Sequence, residues 1–355
     1  MIKYLGSKRV LIPLITQVIT SLETQGSVID LFSGTARVGY GLKQQGYQVF
    51  ANDINTYAAI LAACYVQADA QRWRDEAKYW VQELNQIKGI EGYFTKCFCR
   101  DSSFFQVPNG QKIDAIRERI EAESLPYELR AILLTSLMEA ADRVDSTCGV
   151  QMSFLKRWSV RSYKPLKLRV PKLLPKATSG KSYAYRADAL DMIEQLSADI
   201  AYLDPPYNQH KYIGNYHIWE SLVLWDKPEV YGVARKRVDV RDRLSAFNSR
   251  RQILKALQRV IDDIDVNHLV VSFNNEGHIT KDEMIQLLSR RGEVVVLAQN
   301  SRRYVGAQIG IHNQQGAVVG KVSHLHNTEY IFVVSPKAQY IKAQFPDLAV
   351  SLYDA

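Results

Sequence analysis

An α/β fold, an open and mostly parallel sheet with an inserted, mainly helical lobe, is predicted by three observations. Short β-rich runs recur between helical patterns, a middle stretch breaks that rhythm, and glycine or proline marks the places where strands leave for loops. The runs cover residues 28–32, 47–51, 200–203, 268–273, 293–298 and 329–334. Strands that alternate with helices pair in parallel, because the helix supplies the crossover between them and then covers a face of the sheet.

The first pair of strands is the clearest. Gly34 breaks the chain after the first run, residues 35–45 read as a helix, and Gly46 stops that helix before the second run. Residues 68–182 hold amphipathic patterns at 113–122 and 129–141 and few strand-like runs. We therefore expect residues 1–67 and 183–355 to form one sheet domain and residues 68–182 to be a lobe joined to it at both ends. At 355 residues and 46% hydrophobic composition, the chain is large enough for one core plus such a lobe.

The formal charge of +8 favours a polyanionic partner, a nucleic acid or an acidic membrane surface, although a solvated basic surface gives the same total. Position narrows this. Residues 146–187 contain no acidic residue, while Lys156, Arg157, Arg161, Lys164, Lys167, Arg169, Lys172, Lys176, Lys181 and Arg186 supply ten positive charges, a pattern suited to a phosphate backbone. Phe154, Trp158, Tyr163, Tyr183 and Tyr185 lie among them, placed either to stack against bases or to join the core. A second basic run, Arg235-Lys236-Arg237 with Arg241 and Arg243, reads equally as a DNA-contacting loop or a solvated one.

Cys64, Cys97, Cys99 and Cys148 are too few and too irregularly spaced for a disulfide framework. Cys97-Phe98-Cys99 is at most half of a metal site, and neither a second cysteine pair nor His324 and His326 completes it, so no metal is expected. No apolar stretch approaches the roughly 18 residues of a membrane span, and the first residues lack a long apolar leader core. The expectation is a soluble, cytoplasmic protein with no membrane partner.

Three motifs carry chemistry. In Asp30-Leu31-Phe32-Ser33-Gly34, a strand ends in an acidic residue and turns through glycine into a helix; a ligand lying against the backbone at that edge leaves no room for a Cβ, and a plain tight turn has the same form. The segment has neither the phosphate loop nor the full dinucleotide fingerprint, which leaves a nicotinamide-dependent enzyme poorly supported. Asp53, at the end of the second strand and about twenty residues after the glycine, is placed to accept from two ribose hydroxyls; capping of the next helix, by Asp53 or equally by Asn55, is the alternative. In Asp204-Pro205-Pro206-Tyr207 the two prolines force the chain out of the sheet as a stiff loop directly after the apolar run 200–203. Such a loop holds a carboxylate and the adjacent carbonyl as fixed acceptors beside an aromatic face, which suits a planar ring bearing an NH2 group. Asn274 and Asn275, after the run 268–273, are pocket candidates or helix caps.

The chain resembles the Dam-like family of DNA adenine-N6 methyltransferases. The resemblance rests on Tyr4-Leu5-Gly6-Ser7-Lys8, the Asp-x-Phe-x-Gly loop at residues 30–34 and Asp-Pro-Pro-Tyr at 204–207, in the family's order. Asn52-Asp53, the Asp188 segment and Gly214-Asn215-Tyr216 extend it over nearly the whole chain, whereas Thr35-Ala36-Arg37 departs from the smaller residues often seen there. The Asp-Pro-Pro-Tyr form implies adenine methylation; cytosine-N4 relatives usually begin with Ser and protein glutamine methyltransferases with Asn.

The resemblance implies a Rossmann-like methyltransferase sheet, S-adenosylmethionine as methyl donor and double-stranded DNA as partner, with the lobe reading the target; the chain works beside a cognate restriction endonuclease as functional partner, as a host-encoded regulator or from a phage, three readings the sequence leaves open. It also implies roles. Tyr4, Lys8, Asp30, Phe32 and Gly34 would surround the methionine part of the cofactor, Asp53 its ribose and Asp188 its adenine N6. Asp204 and the Pro205 carbonyl would accept from the target amine, and Tyr207 would stack on the flipped-out adenine. An RNA adenine-N6 methyltransferase would use the same loop, and a silent nucleic-acid-binding module would keep the fold without the reaction.

Overall fold

The computed structural model describes residues 1–6, 8–23, 25–207, 211–302, 311–312, 318–320 and 326–352. Ser7 of the N-terminal motif and His324 lie outside the described residues. In chain order the principal strands are β1 (Ser27–Asp30), β2 (Gln48–Asn52), β3 (Tyr183–Tyr185), β4 (Ser197–Leu203), β5 (Asp265–Asn274), β6 (Val294–Arg302), β7 (His326–Val334) and β8 (Ala349–Val350). The principal helices are α1 (Ile12–Leu22), α2 (Arg37–Gln44), α3 (Thr56–Ala62), α4 (Ala70–Gln86), α5 (Val107–Ala122), α6 (Tyr127–Asp142), α7 (His217–Leu224), α8 (Ile253–Asp263), α9 (Lys281–Leu288) and α10 (Ala338–Gln344). The α/β class is the expected one, and each of the six β-rich runs forms a strand.

The chain divides into two compact units. One holds residues 10–31, 190–209 and 245–355. Its strands lie in the order β8-β6-β7-β5-β4-β1, parallel at β1/β4 and β4/β5 and antiparallel at β5/β7, β7/β6 and β6/β8. Because β7 is reversed against both neighbours, β1, β4, β5 and β6 all point the same way. Ile200, Ala201, Leu203, Leu269, Val270 and Val271 are buried, the unbroken apolar run of central parallel strands covered on both faces. The register pairs Asp30 with Tyr202 and Leu203 with Val271, so Asp30, Asp204 and Asn274 all leave the sheet at one carboxyl edge.

The other unit holds residues 1–9, 32–189 and 210–244. It contains the parallel pair β2/β3 and the helices α2 to α7. Between residues 68 and 182 the chain forms helices and irregular segments, with one isolated bridge between Ala177 and Gly180. Asp114 on α5 organises part of this region, accepting from the amides of Gly92, Phe94 and Thr95 and from the Thr95 hydroxyl at 2.6–3.1 Å.

Arg237 and Arg243 of the second basic run are bound to carboxylates, while Arg241 is exposed. Arg237, 2% exposed, is held between Asp226 and Asp239 at 2.6–3.0 Å, and Arg243 is bound to Glu220 and Asp239. Cys64, Cys97 and Cys99 are buried thiols pushed up by desolvation, and Cys148 is exposed. Among the described residues no helix is long and apolar enough to cross a membrane, and no cluster of three His, Cys, Asp or Glu side chains suits a metal ion.

Candidate active site

The glycine loop folds onto the end of β2. The Ser33 amide donates to the Asn52 carbonyl at 2.8 Å, and the Gly34 amide donates to Asp53 Oδ2 at 3.0 Å. Gly34 has φ +51°, so glycine serves the left-handed turn; a Cβ there would meet the Tyr4 ring at 3.5 Å, an ordinary contact. Ala36 follows at φ 58°, a conformation that costs a non-glycine residue roughly 1–2 kcal/mol and is held by the bond from its amide to the Ser33 carbonyl.

Asp53 is gripped from both sides. Its Oδ1 accepts from the Asn55 amide at 2.9 Å and from Asn55 Nδ2 at 3.0 Å, while Oδ2 takes the Gly34 amide. Burial pushes its carboxyl up to about 6, further than these donors pull it down. Of the two N-cap candidates the sequence allowed, the N-cap position of α3 is taken by Asn55 and not by Asp53.

Tyr4 sits between two rings, stacked on Tyr216 at 4.6 Å and on Tyr212 at 5.2 Å, with its hydroxyl 3.3 Å from that of Tyr57. Burial, with Tyr57, Tyr212 and Asp53 nearby, holds the Tyr4 phenol well above its ordinary range. The Leu5 amide donates to the Tyr216 hydroxyl at 2.5 Å, fixing the N-terminal segment to the turn at residues 214–216. Gln151 anchors that turn by donating its amide to the Asn215 carbonyl at 2.8 Å. Lys8 is buried in a single 3-10 turn, and Phe32 is half-buried.

The backbone just before Asp188 is tied to the end of β2 by Asn52. The Asn52 amide group donates to the Ala187 carbonyl and accepts from the Ala187 amide, both at 3.1 Å, and the Asp53 amide donates to the Tyr185 carbonyl at 3.3 Å. The segment bearing Asp188 is thereby registered against the end of β2. Sequence reasoning matched Asn52 by position only; its signal was a short side chain that donates and accepts at once.

In the other unit, β4 ends at fully buried Leu203, after which Asp204 is half-buried, Pro205 buried and Tyr207 half-buried. Tyr207 meets Phe273 edge-on at 5.7 Å, and its carbonyl accepts from the His278 amide at 2.8 Å. A Cβ on Gly277 would lie 2.3 Å from Phe273, so glycine lets the turn after β5 close against the ring that supports Tyr207. Asp30 is 1% exposed at the same sheet edge. Asn274 and Asn275 shape that turn: the first accepts from the Glu276 amide at 3.0 Å and the second from the Thr328 amide at 3.1 Å.

The basic segment contains an extended strap outside any sheet. Leu166, Leu168 and Leu173 are buried while Lys167, Arg169 and Lys172 are exposed. Side chains replace a strand partner: Asn109 Oδ1 accepts from the Leu166 amide, Asn85 Oδ1 from the Leu168 amide, and the Ser136 hydroxyl donates to the Arg169 carbonyl, at 2.7–2.9 Å. These bonds satisfy part of the strap's backbone on the protein side, and Lys167, Arg169 and Lys172 remain exposed.

Residues 4–287 match the model of the D12 class N6 adenine-specific DNA methyltransferases. The chain is 33% identical over 283 residues to Type II methyltransferase M.NlaIII of Neisseria lactamica, covering 78% of this chain and 83% of that protein. It is 30% identical over 351 residues to Type II methyltransferase M.FokI of Planomicrobium okeanokoites, and 29% over 303 residues to modification methylase StsI of Streptococcus sanguinis. These alignments cover 94% and 81% of this chain but only 52% and 46% of those two relatives, so the chain spans about half of their length.

Proposed function

The chain belongs to the D12 class N6 adenine-specific DNA methyltransferases, and from that premise we propose how its own residues divide the work of methylating adenine at a specific DNA site. The RNA substrate and the silent module open to the sequence are not favoured by this family or by its Type II relatives. The observation that carries the reading is the stiff Asp204–Tyr207 loop leaving β4 at the sheet edge where β1 also ends at Asp30.

S-adenosylmethionine, when bound, supplies an electrophilic methyl group on a sulfonium. The residues present suit it: Asp53 offers a carboxylate for a ribose, Gly34 makes the left-handed turn that brings its amide to that carboxylate, and the buried Ser33 hydroxyl has no protein partner. Tyr4, Lys8, Asp30, Phe32 and Gly34 would hold the methionine part, Asp53 the ribose and Asp188 the adenine N6.

The target amine is a weak nucleophile because its lone pair is conjugated into the ring. Asp204 and the Pro205 carbonyl accept its two hydrogens and favour a pyramidal nitrogen, an interaction that strengthens as positive charge grows there. No proton need leave before attack; it departs afterwards to solvent. In a duplex the adenine must leave the stack, at roughly a few kcal/mol, and stacking on Tyr207 offsets this. Residues 68–182 serve as the target-recognition lobe on a catalytic domain of residues 1–67 and 183–355, and a restriction endonuclease of matching specificity is the functional partner.

The reading is tested by incubating the purified chain with methyl-labelled S-adenosylmethionine and duplex DNA or RNA, then digesting to nucleosides. Label in N6-methyladenine from the duplex is expected; label in methylcytosine, or from RNA alone, contradicts it. Tyr207→Ala should lower single-turnover methylation about 5- to 150-fold, the range of roughly 1–3 kcal/mol for one base–aromatic stack. An unchanged rate removes the stacking role.

Changing Lys167, Arg169 and Lys172 together to Gln should weaken binding of any duplex and flatten the slope of log affinity against log salt by up to about 0.9 per lost phosphate contact. Turnover at saturating DNA should stay as in the wild type. An unaltered salt slope would exclude the strap from the phosphate surface.

A further inference from the structure

Helix α3 starts immediately after the Asp53 turn, and its first turn is capped from a distance. Asn55 occupies the N-cap with φ −87° and ψ 137° but makes no side-chain cap bond, and the first turn carries no acidic residue. Its Nδ2 instead donates to Asp53 Oδ1 at 3.0 Å. The amides of Thr56 and Tyr57 are taken by Glu220 of α7: Oε1 accepts from the Thr56 amide at 3.2 Å and hydroxyl at 2.7 Å, and Oε2 from the Tyr57 amide at 2.9 Å.

Glu220 is fully buried, and Arg243 binds its Oε1 at 2.6 Å. Asp239 holds the other arm of that guanidinium at 2.9 Å. A buried carboxylate aimed at the positive end of a helix, with a guanidinium fixed behind it, replaces the cap an asparagine would ordinarily supply.

We propose that Glu220 is a positioning residue for cofactor binding: by capping α3 in place of Asn55, it leaves the Asn55 side chain to lock the Asp53 carboxylate. Asparagine is among the best N-cap residues, so without Glu220 the Asn55 amide turns to its own helix and releases Asp53. The inference rests on the reading of Asp53 as the ribose ligand, and it gives Arg243, from the second basic run, a structural task as counter-ion.

The experiment measures S-adenosylmethionine affinity by calorimetry, and steady-state turnover, for the full chain carrying Glu220→Gln, Asn55→Ala, both together, and Asp53→Ala. Glu220→Gln keeps the volume and one acceptor; Glu220→Gln with Arg243→Met, which leaves no unpaired guanidinium, is the second variant should the first fold poorly. Each single change at 220 or 55 should raise the dissociation constant about tenfold, the scale of one charge-assisted hydrogen bond. KM for the cofactor should rise with kcat unchanged, and the double variant should be no weaker than the weaker single one, because both act through the same lock. Additive losses, or a fall in kcat at saturating cofactor, would reduce Glu220 to a general structural role and overturn the proposal. Weakened binding in Asp53→Ala with none in Glu220→Gln would overturn the proposal alone; unchanged binding in Asp53→Ala would overturn the ribose reading and the proposal with it.

Discussion

Asp204→Ala is expected to lower kcat by roughly 10²–10³-fold, the cost of removing one preorganised polar group aimed at developing charge, while S-adenosylmethionine affinity stays within about twofold of wild type. Asp204 is the first residue past β4, half-buried, and the two prolines behind it leave the loop few alternative conformations. In the proposed mechanism, loss of the carboxylate would leave the target amine only the Pro205 carbonyl as acceptor and the growing charge on nitrogen without its compensating anion. Asp204→Asn, which keeps an oxygen acceptor but no charge, should fall between the two. Single-turnover methylation alongside calorimetry separates the steps; loss of cofactor binding as the main effect of Asp204→Ala would contradict this role.

Asp53→Ala should act in the opposite manner, raising the cofactor dissociation constant by about 10- to 100-fold, the scale of one or two hydrogen bonds to a charged group. The same carboxylate also organises its surroundings, since the Gly34 amide and both Asn55 donors lose their acceptor. Its titration gives a second signature. Burial raises the Asp53 carboxyl to about 6, so the carboxylate is complete above that pH and gains a proton below it. Cofactor affinity should therefore be level from pH 7 to 8 and fall by up to about tenfold per pH unit below 6. A flat profile between pH 5 and 7 in calorimetric titrations, or unchanged affinity in Asp53→Ala, would remove Asp53 from the ribose site.

Much of this was legible from the amino-acid order because the signals are local. Strands β1, β2, β4, β5, β6 and β7 announce themselves as apolar runs, and Gly34, Asp53 and Asp204 stand where those runs end. The three residues of β3 and the two of β8 are too short for any periodicity to register, and the tyrosines of β3 read instead as aromatics among basic residues. The reversal of β7 between β5 and β6 leaves no mark in a pattern that reports burial but not direction.

Pairings between distant residues were invisible for a different reason. Glu220 lies 164 positions from Thr56, and nothing in a helix that begins His217-Ile218-Trp219 marks its fourth residue as the cap of another. The second basic run shows the same limit: charge can be counted along a chain, but whether Arg237 and Arg243 face solvent or carboxylates is decided by folding. The Tyr4–Tyr216 stack is of this kind too, its two rings supplied by opposite ends of one unit.

The most direct test of the central claim is to express the wild type and Asp204→Ala in a methylation-free host and map modified bases on the plasmid by long-read sequencing. N6-methyladenine at one short motif with the wild type, and none with Asp204→Ala at equal soluble protein, is the predicted result. Equal adenine methylation from both proteins would contradict the assignment of Asp204, and no modified adenine from soluble, S-adenosylmethionine-binding wild type would contradict the DNA adenine-N6 activity itself.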